Sequence, residues 1–299
     1  MALAVYLWHM IFLLLSVLAN AAIYPIFKIF DRKGIQLFPA IVLNYITALT
    51  CGLLVVSEPQ QAIAAASQWP LWAVGGLALG GFFISIFYMM GISSQKVGVG
   101  ITTIASKMSL ALAVLLFAWF DPAQMPGPMK IAAIILAMVG VILSSITEEQ
   151  GHFSWRNLVF PLMILIGSTI IDFGVAYFQA FTTNENELRL YSCLSFGAAG
   201  AIGVCILAFR LITGSTRLRW IDVVAGIGLG IVNYGSIYFL VKSYNAHLFD
   251  SSTTLPINNL AVVMVGACIA YFGFRERFTK TNVLGLACCM LALVLLVAF

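Results

Sequence analysis

VGGLALGGFFISIFYMMGISSQKVGVGITTIASKMSLA, residues 74–111, and VAGIGLGIVNYGSIYFLVKSYNAHLFDSSTTLPINNLA, residues 224–261, are matching lengths of one chain 150 positions apart. Nine of the 38 positions are identical: Val74/Val224, Gly76/Gly226, Leu79/Leu229, Gly80/Gly230, Tyr88/Tyr238, Ser93/Ser243, Thr103/Thr253, Leu110/Leu260 and Ala111/Ala261. Apolar composition alone gives about three. Each full copy holds an odd number of hydrophobic runs. Duplicating an odd number inserts the second copy upside down and produces an inverted repeat.

The rest of the chain supports a membrane reading. Of its 299 residues, 62% are hydrophobic and 9% charged, with a mean hydropathy of +1.04. So little polar surface cannot cover a water-soluble core. The expectation is one compact integral membrane bundle. A net charge of +4, with basic residues mostly at the ends of apolar runs, gives nucleic acid no support as a partner. The first apolar run, from Tyr6, continues past twenty residues without a small-residue cleavage site, so it reads as a span and not a signal peptide. Cys51, Cys193, Cys205, Cys268, Cys288 and Cys289 all fall inside apolar runs, where they pack as small hydrophobes. No CxxC or Cys/His spacing suggests zinc, and no disulfide framework is expected.

A helix needs about 20 apolar residues to cross a hydrocarbon core about 30 Å thick. That length predicts ten spans, at 4–28, 36–56, 70–92, 97–119, 129–147, 157–181, 188–211, 220–243, 250–273 and 280–298. The runs are continuously apolar and not alternating, which excludes a barrel. Trp8, Trp69, Trp72, Trp119, Trp155 and Trp220 lie near predicted span ends, where an indole prefers the interface. The linkers carry turn-formers: Asp31-Arg32-Lys33-Gly34, Glu58-Pro59, Asp121-Pro122 and Pro126-Gly127-Pro128. The segment Glu148-Glu149-Gln150-Gly151-His152 separates five spans from five. Hence the fold expected is all-α, ten transmembrane helices as a 5+5 inverted repeat, with repeats at 1–148 and 152–299 forming one transmembrane domain. Odd-numbered loops hold eleven Lys and Arg residues against three in even-numbered loops, which places odd loops in the cytoplasm and both termini outside. Gly76xxxGly80 and Gly226xxxGly230 allow close helix approach at equivalent places in the two copies.

Ten spans in two five-span halves resemble the drug/metabolite transporter superfamily, in particular the EamA-type carriers. The local motif is an acidic residue and turn after the fourth or ninth span, followed by a helix with a central glycine. Here it reads Glu276-Arg277-Phe278-Thr279, then Asn282-Val283-Leu284-Gly285. The first half carries a weaker version, with Asp121-Pro122 at the acidic position and Gly140 later in span 5. The resemblance implies alternating access around a central cavity lined by spans 1, 3, 4, 6, 8 and 9. It also implies cytoplasmic termini, opposite to the charge count.

Lys107 is the most informative single residue, because it lies near the midplane, where a lone charge costs several kcal/mol. Asp172, in span 6, is the other ionisable group at that depth and comes from the opposite repeat. Two readings of a Lys107–Asp172 pair compete: an ion pair fixing helix register, or a pair broken and remade by substrate or a proton. Polar stripes run around them: His9, Ser16, Asn20 and Tyr24 in span 1; Ser85 and Tyr88 in span 3; Gly100 and Thr103 in span 4. Span 6 adds Ser168 and Gln179, and span 8 adds Asn233, Ser236, Tyr234 and Tyr238. Such residues also glue helices together. In span 9, Pro256 precedes Asn258 and Asn259 and frees the carbonyl of Ser252. That arrangement suits substrate polar groups or sodium, and equally a plain proline kink. At the 150-residue offset Lys107 stands opposite Ile257, Ser106 opposite Pro256, and Met108-Ser109 opposite Asn258-Asn259.

The function expected is a secondary transporter of a small polar metabolite, an amino acid or similar organic acid. The substrate-binding or coupling residues are Lys107, Asp172, Asn20, Tyr88, Thr103, Asn233, Tyr234, Asn258 and Asn259. Transport of a nucleoside, sugar or drug-like cation is the alternative, with a channel or intramembrane enzyme behind it. An aspartyl protease needs two midplane carboxylates, and only Asp172 qualifies; no HExxH is present. No enzyme activity, cofactor or metal is expected, with proton or sodium coupling left open. The partners are a small-molecule substrate and the bilayer of a plasma (inner) membrane, for a multi-pass monomer or homodimer.

Overall fold

The computed structural model describes residues 2–120, 125–146, 148–149, 152–153, 155–245 and 251–298. Asp121-Pro122, Gly151 and Asp250, and the side chains of Trp8, His9, Trp155 and Ser252, lie outside the described residues.

Among the described residues the regular structure is helical apart from one short ladder. In order come α1 (Ala2–Arg32), α2 (Leu37–Val55), α3 (Pro59–Ala66), α4 (Leu71–Lys96), α5 (Val99–Lys107), α6 (Ser109–Phe120) and α7 (Pro128–Ser145). After them follow α8 (Trp155–Gln179), α9 (Glu185–Ile212), α10 (Trp220–Asn245), α11 (Ser251–Cys268) and α12 (Lys280–Ala298). Among the described residues ten segments are long and apolar enough to cross a membrane, and all ten match predicted spans. Hydrocarbon offers no partner for N–H or C=O, so continuous apolar runs close their backbone bonds internally as helices. In the linker, Glu148–Glu149 pairs antiparallel with His152–Phe153.

Local chemistry sets the helix ends. Gly34 (φ +62°) and Gly214 (φ +69°) take the left-handed conformation after α1 and α9. There the N–H of Ile35 reaches the carbonyl of Phe30 at 2.8 Å, and that of Ser215 reaches Arg210 at 3.0 Å. Both closures leave few carbonyls orphaned. Helix α9 opens on a capping box: Asn184 Oδ1 accepts from the Glu187 N–H at 2.9 Å, and Glu187 Oε2 accepts from the Thr183 N–H at 2.8 Å.

Two compact units divide the chain, each drawing on both sequence halves. The first comprises Met1–Lys28, Met90–Thr169 and Gly235–Phe299. Its centre is the packing of α7 on α12 and of α5 on α11. A Cβ on Gly140 would lie 2.5 Å from Cys289 Sγ, and one on Gly285 would lie 2.3 Å from the Ser144 nitrogen. These two contacts exchange when either half is shifted by 145 residues. Asn282 Nδ2 donates to the carbonyls of Ser144 and Ile146, both at 2.8 Å, capping the end of α7 from α12.

The second unit comprises Ile29–Met89 and Ile170–Tyr234. Here both predicted GxxxG motifs pack helices. Gly76 and Gly80 of α4 meet Leu194 and Ala198 of α9, while Gly226 and Gly230 of α10 meet Leu43 and Thr47 of α2. Gly52 meets Cys193, and Gly203 meets Val42, where α2 crosses α9. Shifted by 151, the first of those pairs becomes the second.

At one pole of this unit the Asp222 carboxylate, fully buried, gathers five donors. They are Gln36 N at 2.8 Å and Nε2 at 3.4 Å, and Arg219 N at 3.2 Å, Nε at 2.9 Å and Nη2 at 2.6 Å. Arg219 Nη2 also donates to the Gly34 carbonyl at 2.6 Å, and the hydrogen bonds its guanidinium donates to Asp222 push the guanidinium pKa up. The cluster ties the loop before α2 to the loop before α10. Sequence reading did not single out Asp222; its signal is an acidic residue in the first turn of a helix, three residues after an arginine.

Candidate functional site

Span 4 is not one helix. It runs as α5 to Lys107, turns at Met108 and restarts as α6 at Ser109. Neither glycine nor proline stands at the turn. The hydroxyls produce it: Ser109 Oγ donates to the Ser106 carbonyl at 2.6 Å, taking an acceptor the helix would use. Thr169 Oγ1 of α8 donates to the Ser109 carbonyl at 3.4 Å as well as to Leu165 at 2.7 Å. The backbone tightens across the turn, with the Ala111 N–H on the Met108 carbonyl at 3.1 Å.

The break sits about 13 Å along the axis from Val99, near the middle of a core about 30 Å thick. Lys107, half-buried, therefore occupies the last turn of a helix, where carbonyls point at its cation. Just beyond it, α6 begins with N–H groups that favour an anion. One end of the broken span stabilises the lysine charge, and the other adds to its attraction for a carboxylate.

Helix α11 packs antiparallel on α5. Gly266 lies against Thr103, and Gly100 against Ala270. Continuing that register sets Asn258 and Asn259 level with Ala111 and Leu110, in the first turn of α6. Helix α11 remains continuous through Pro256, whereas span 4 is interrupted at Met108. Asn258 is fully buried, and neither atom of its carboxamide has a partner among the described residues. Asn259 is 5% exposed. Helix α1 joins this group through Val17, Ala21 and Tyr24, which cluster with Val99, Val262 and Ala270. Asn20 is half-buried on α1. The first unit thus brings together Asn20, Thr103, Lys107, Asn258 and Asn259.

Thr103 is committed elsewhere. Its hydroxyl donates to the Val99 carbonyl at 2.8 Å and its methyl packs on Gly266, so it is a packing residue. Ser85 is exposed and bonds its own helix at Gly81, and Ser16 donates to the Ser236 carbonyl at 2.9 Å. The start of span 4 is held by Glu276, whose carboxylate accepts from Val99 N at 2.7 Å and Gly100 N at 3.2 Å beside Gly98 (φ +136°). That contact gives the acidic residue after span 9 its structural work.

The remaining site residues belong to the second unit. Asp172 is half-buried on α8, Asn233 is 7% exposed on α10, and Tyr234 lies against Gly52 of α2. Tyr88 meets Phe38 edge-on with ring centroids 5.6 Å apart. Ser168, on α8, joins Asn258 in having a buried polar atom without a partner among the described residues.

No family model matches the chain. It is similar to an uncharacterized protein of Haemophilus influenzae, 25% identical over 284 residues, with 92% of this chain and 93% of that protein covered. It is also similar to a protein of known crystal structure, at 15% identity with a TM-score of 0.57, covering 96% of this chain and 95% of that one. The likeness extends to the fold over nearly the full length. Ten apolar helices make this a multi-pass membrane protein, compatible with a transporter.

Proposed function

We propose that the chain is a ten-helix secondary carrier of the EamA type, moving a small polar metabolite, an amino acid or similar organic acid, by alternating access. The observation that carries this reading is the midplane break in span 4, with Lys107 at the end of one half-helix and the start of another beside it. Discontinuous helices whose ends meet a substrate at mid-depth are a carrier device. A lysine held there has a use for an anionic substrate group, and Asn258 and Asn259 supply polar contacts at the same depth. Support for an inverted 5+5 repeat comes from the contacts that exchange under the repeat shift: Gly52–Cys193 with Gly203–Val42, and Gly76–Leu194 with Gly226–Leu43. Lys107 and Asp172, one from each sequence half, are the two charged residues proposed to answer substrate or a coupling proton. The protein acts without a cofactor and catalyses no covalent step; protons or sodium couple the cycle. Odd loops face the cytoplasm of an inner or plasma membrane.

The test is counterflow in proteoliposomes, against amino acids, organic acids, nucleosides and sugars, with and without proton and sodium gradients. Saturable counterflow is expected, abolished by Lys107→Ala and by Asp172→Asn in variants that remain monodisperse. Normal transport by either variant overturns the charge mechanism.

A further inference from the structure

Resting on the carrier reading, we infer that Asn258 is a specificity residue that selects a zwitterionic α-amino acid, its carboxamide engaging ammonium and carboxylate together. The carboxamide is fully buried with both Oδ1 and Nδ2 unpaired among the described residues. Leaving such a group unpaired costs the full desolvation of both its polar ends. A bare cation satisfies Oδ1 and leaves the NH2 orphaned. A simple anion does the reverse. Only a ligand offering donor and acceptor a short distance apart pairs both ends, and because both are free this holds whichever way the amide is turned.

The surroundings choose among such ligands. Asn258 is level with the first turn of α6, a helix of 12 residues whose N-terminal N–H groups favour negative charge. Lys107 stands two residues before that start, with its own charge met by the carbonyls closing α5. At about 100° per residue, Asn259 returns to the face of Gly266 that meets α5, while Asn258 lies about 80° round from it. That flank is where Ala261, Val262 and Val265 pack toward α1, so Asn258 points into the corner between α1 and span 4. The site is therefore strongly anion-seeking at the break, with one paired donor and acceptor alongside. A carboxylate answers Lys107 and the α6 terminus and accepts from Nδ2. The adjacent ammonium donates to Oδ1. Asn44, the other asparagine among the described residues with both amide atoms unpaired, lies in the second unit where Gly230 packs on α2, away from any break in its helix.

The experiment uses purified protein with alanine, leucine and phenylalanine, each set against its α-hydroxy acid and its decarboxylated amine. Amino acid counterflow is expected to exceed that of both analogues at least tenfold. Asn258→Leu is expected to lose at least tenfold in counterflow. Its melting temperature without substrate rises above the native value, since an unpaired buried amide is gone, while the upward shift on adding the amino acid disappears. A residue that merely packs would not couple these two readouts. Should the leucine variant aggregate, Asn258→Ala carries the same expectations for counterflow and for the ligand shift. Equal exchange of hydroxy acid and amino acid, still dependent on Lys107, overturns the inference and leaves the carrier reading intact. So does exchange of a sugar or nucleoside with none of these sets. Absence of counterflow by every solute overturns both.

Discussion

Single side chains at helix ends hold much of this protein together. Asn282 donates from α12 to the last carbonyls of α7, and Glu276 closes the first N–H groups of α5. In hydrocarbon those groups have no water to turn to. Asn282→Ala is expected to cost about 1–3 kcal/mol and lower the melting temperature in detergent, while Asn282→Gln recovers little because its longer arm misplaces the amide. Both residues were visible in the sequence as a motif. Their work was not, since the Ser144 carbonyl lies 138 residues from Asn282 and Val99 lies 177 from Glu276. Lys107 was legible for a simpler reason: depth follows from counting along a span. The turn beside it was hidden, because Ala105-Ser106-Lys107-Met108-Ser109 contains no helix breaker and the hydroxyl that helps to stabilise it comes from Thr169.

At the scale of elements, hydrophobic length located all ten spans, and the glycine spacing marked two close approaches, α4 to α9 and α10 to α2. Helix α3 was missed, as eight residues with four alanines carry no span signal. Proline suggested a disturbed span 9, yet α11 continues through Pro256, whose position in the second turn leaves one carbonyl open and no bond below it broken. Glycines divide by what they face. Gly285→Leu drives a side chain into the backbone of α7, where nothing can yield, and is expected to cost several kcal/mol and abolish the folded peak in gel filtration. Gly228→Ala meets open space and is expected to leave that peak unchanged.

Over the whole molecule, the principal partners come from opposite halves: α2 with α9, α5 with α11, and α7 with α12. The 150-residue match in the sequence concerned spans 3, 4, 8 and 9; contacts that exchange under a shift of 151 between spans 2 and 7, and of 145 between spans 5 and 10, support the repeat proposed above. A fixed offset could not follow that drift from 151 to 145. Deleting residues 280–298 uncovers the small-residue face of α7 and is expected to leave a protein that inserts but is rapidly cleaved by protease in detergent, where the full chain resists.

The hold of α12 on α7 has a consequence for synthesis. A chain made from its N-terminus presents α7 with Gly140 and the Ser144 and Ile146 carbonyls uncovered until Asn282 and Gly285 have emerged, about half a protein later. Insertion and folding are therefore separated in time: the first five spans enter the bilayer as individually stable helices and wait there. A ribosome stalled before the last helix leaves an inserted protein with an open seam, ready for either the missing segment or a quality-control protease.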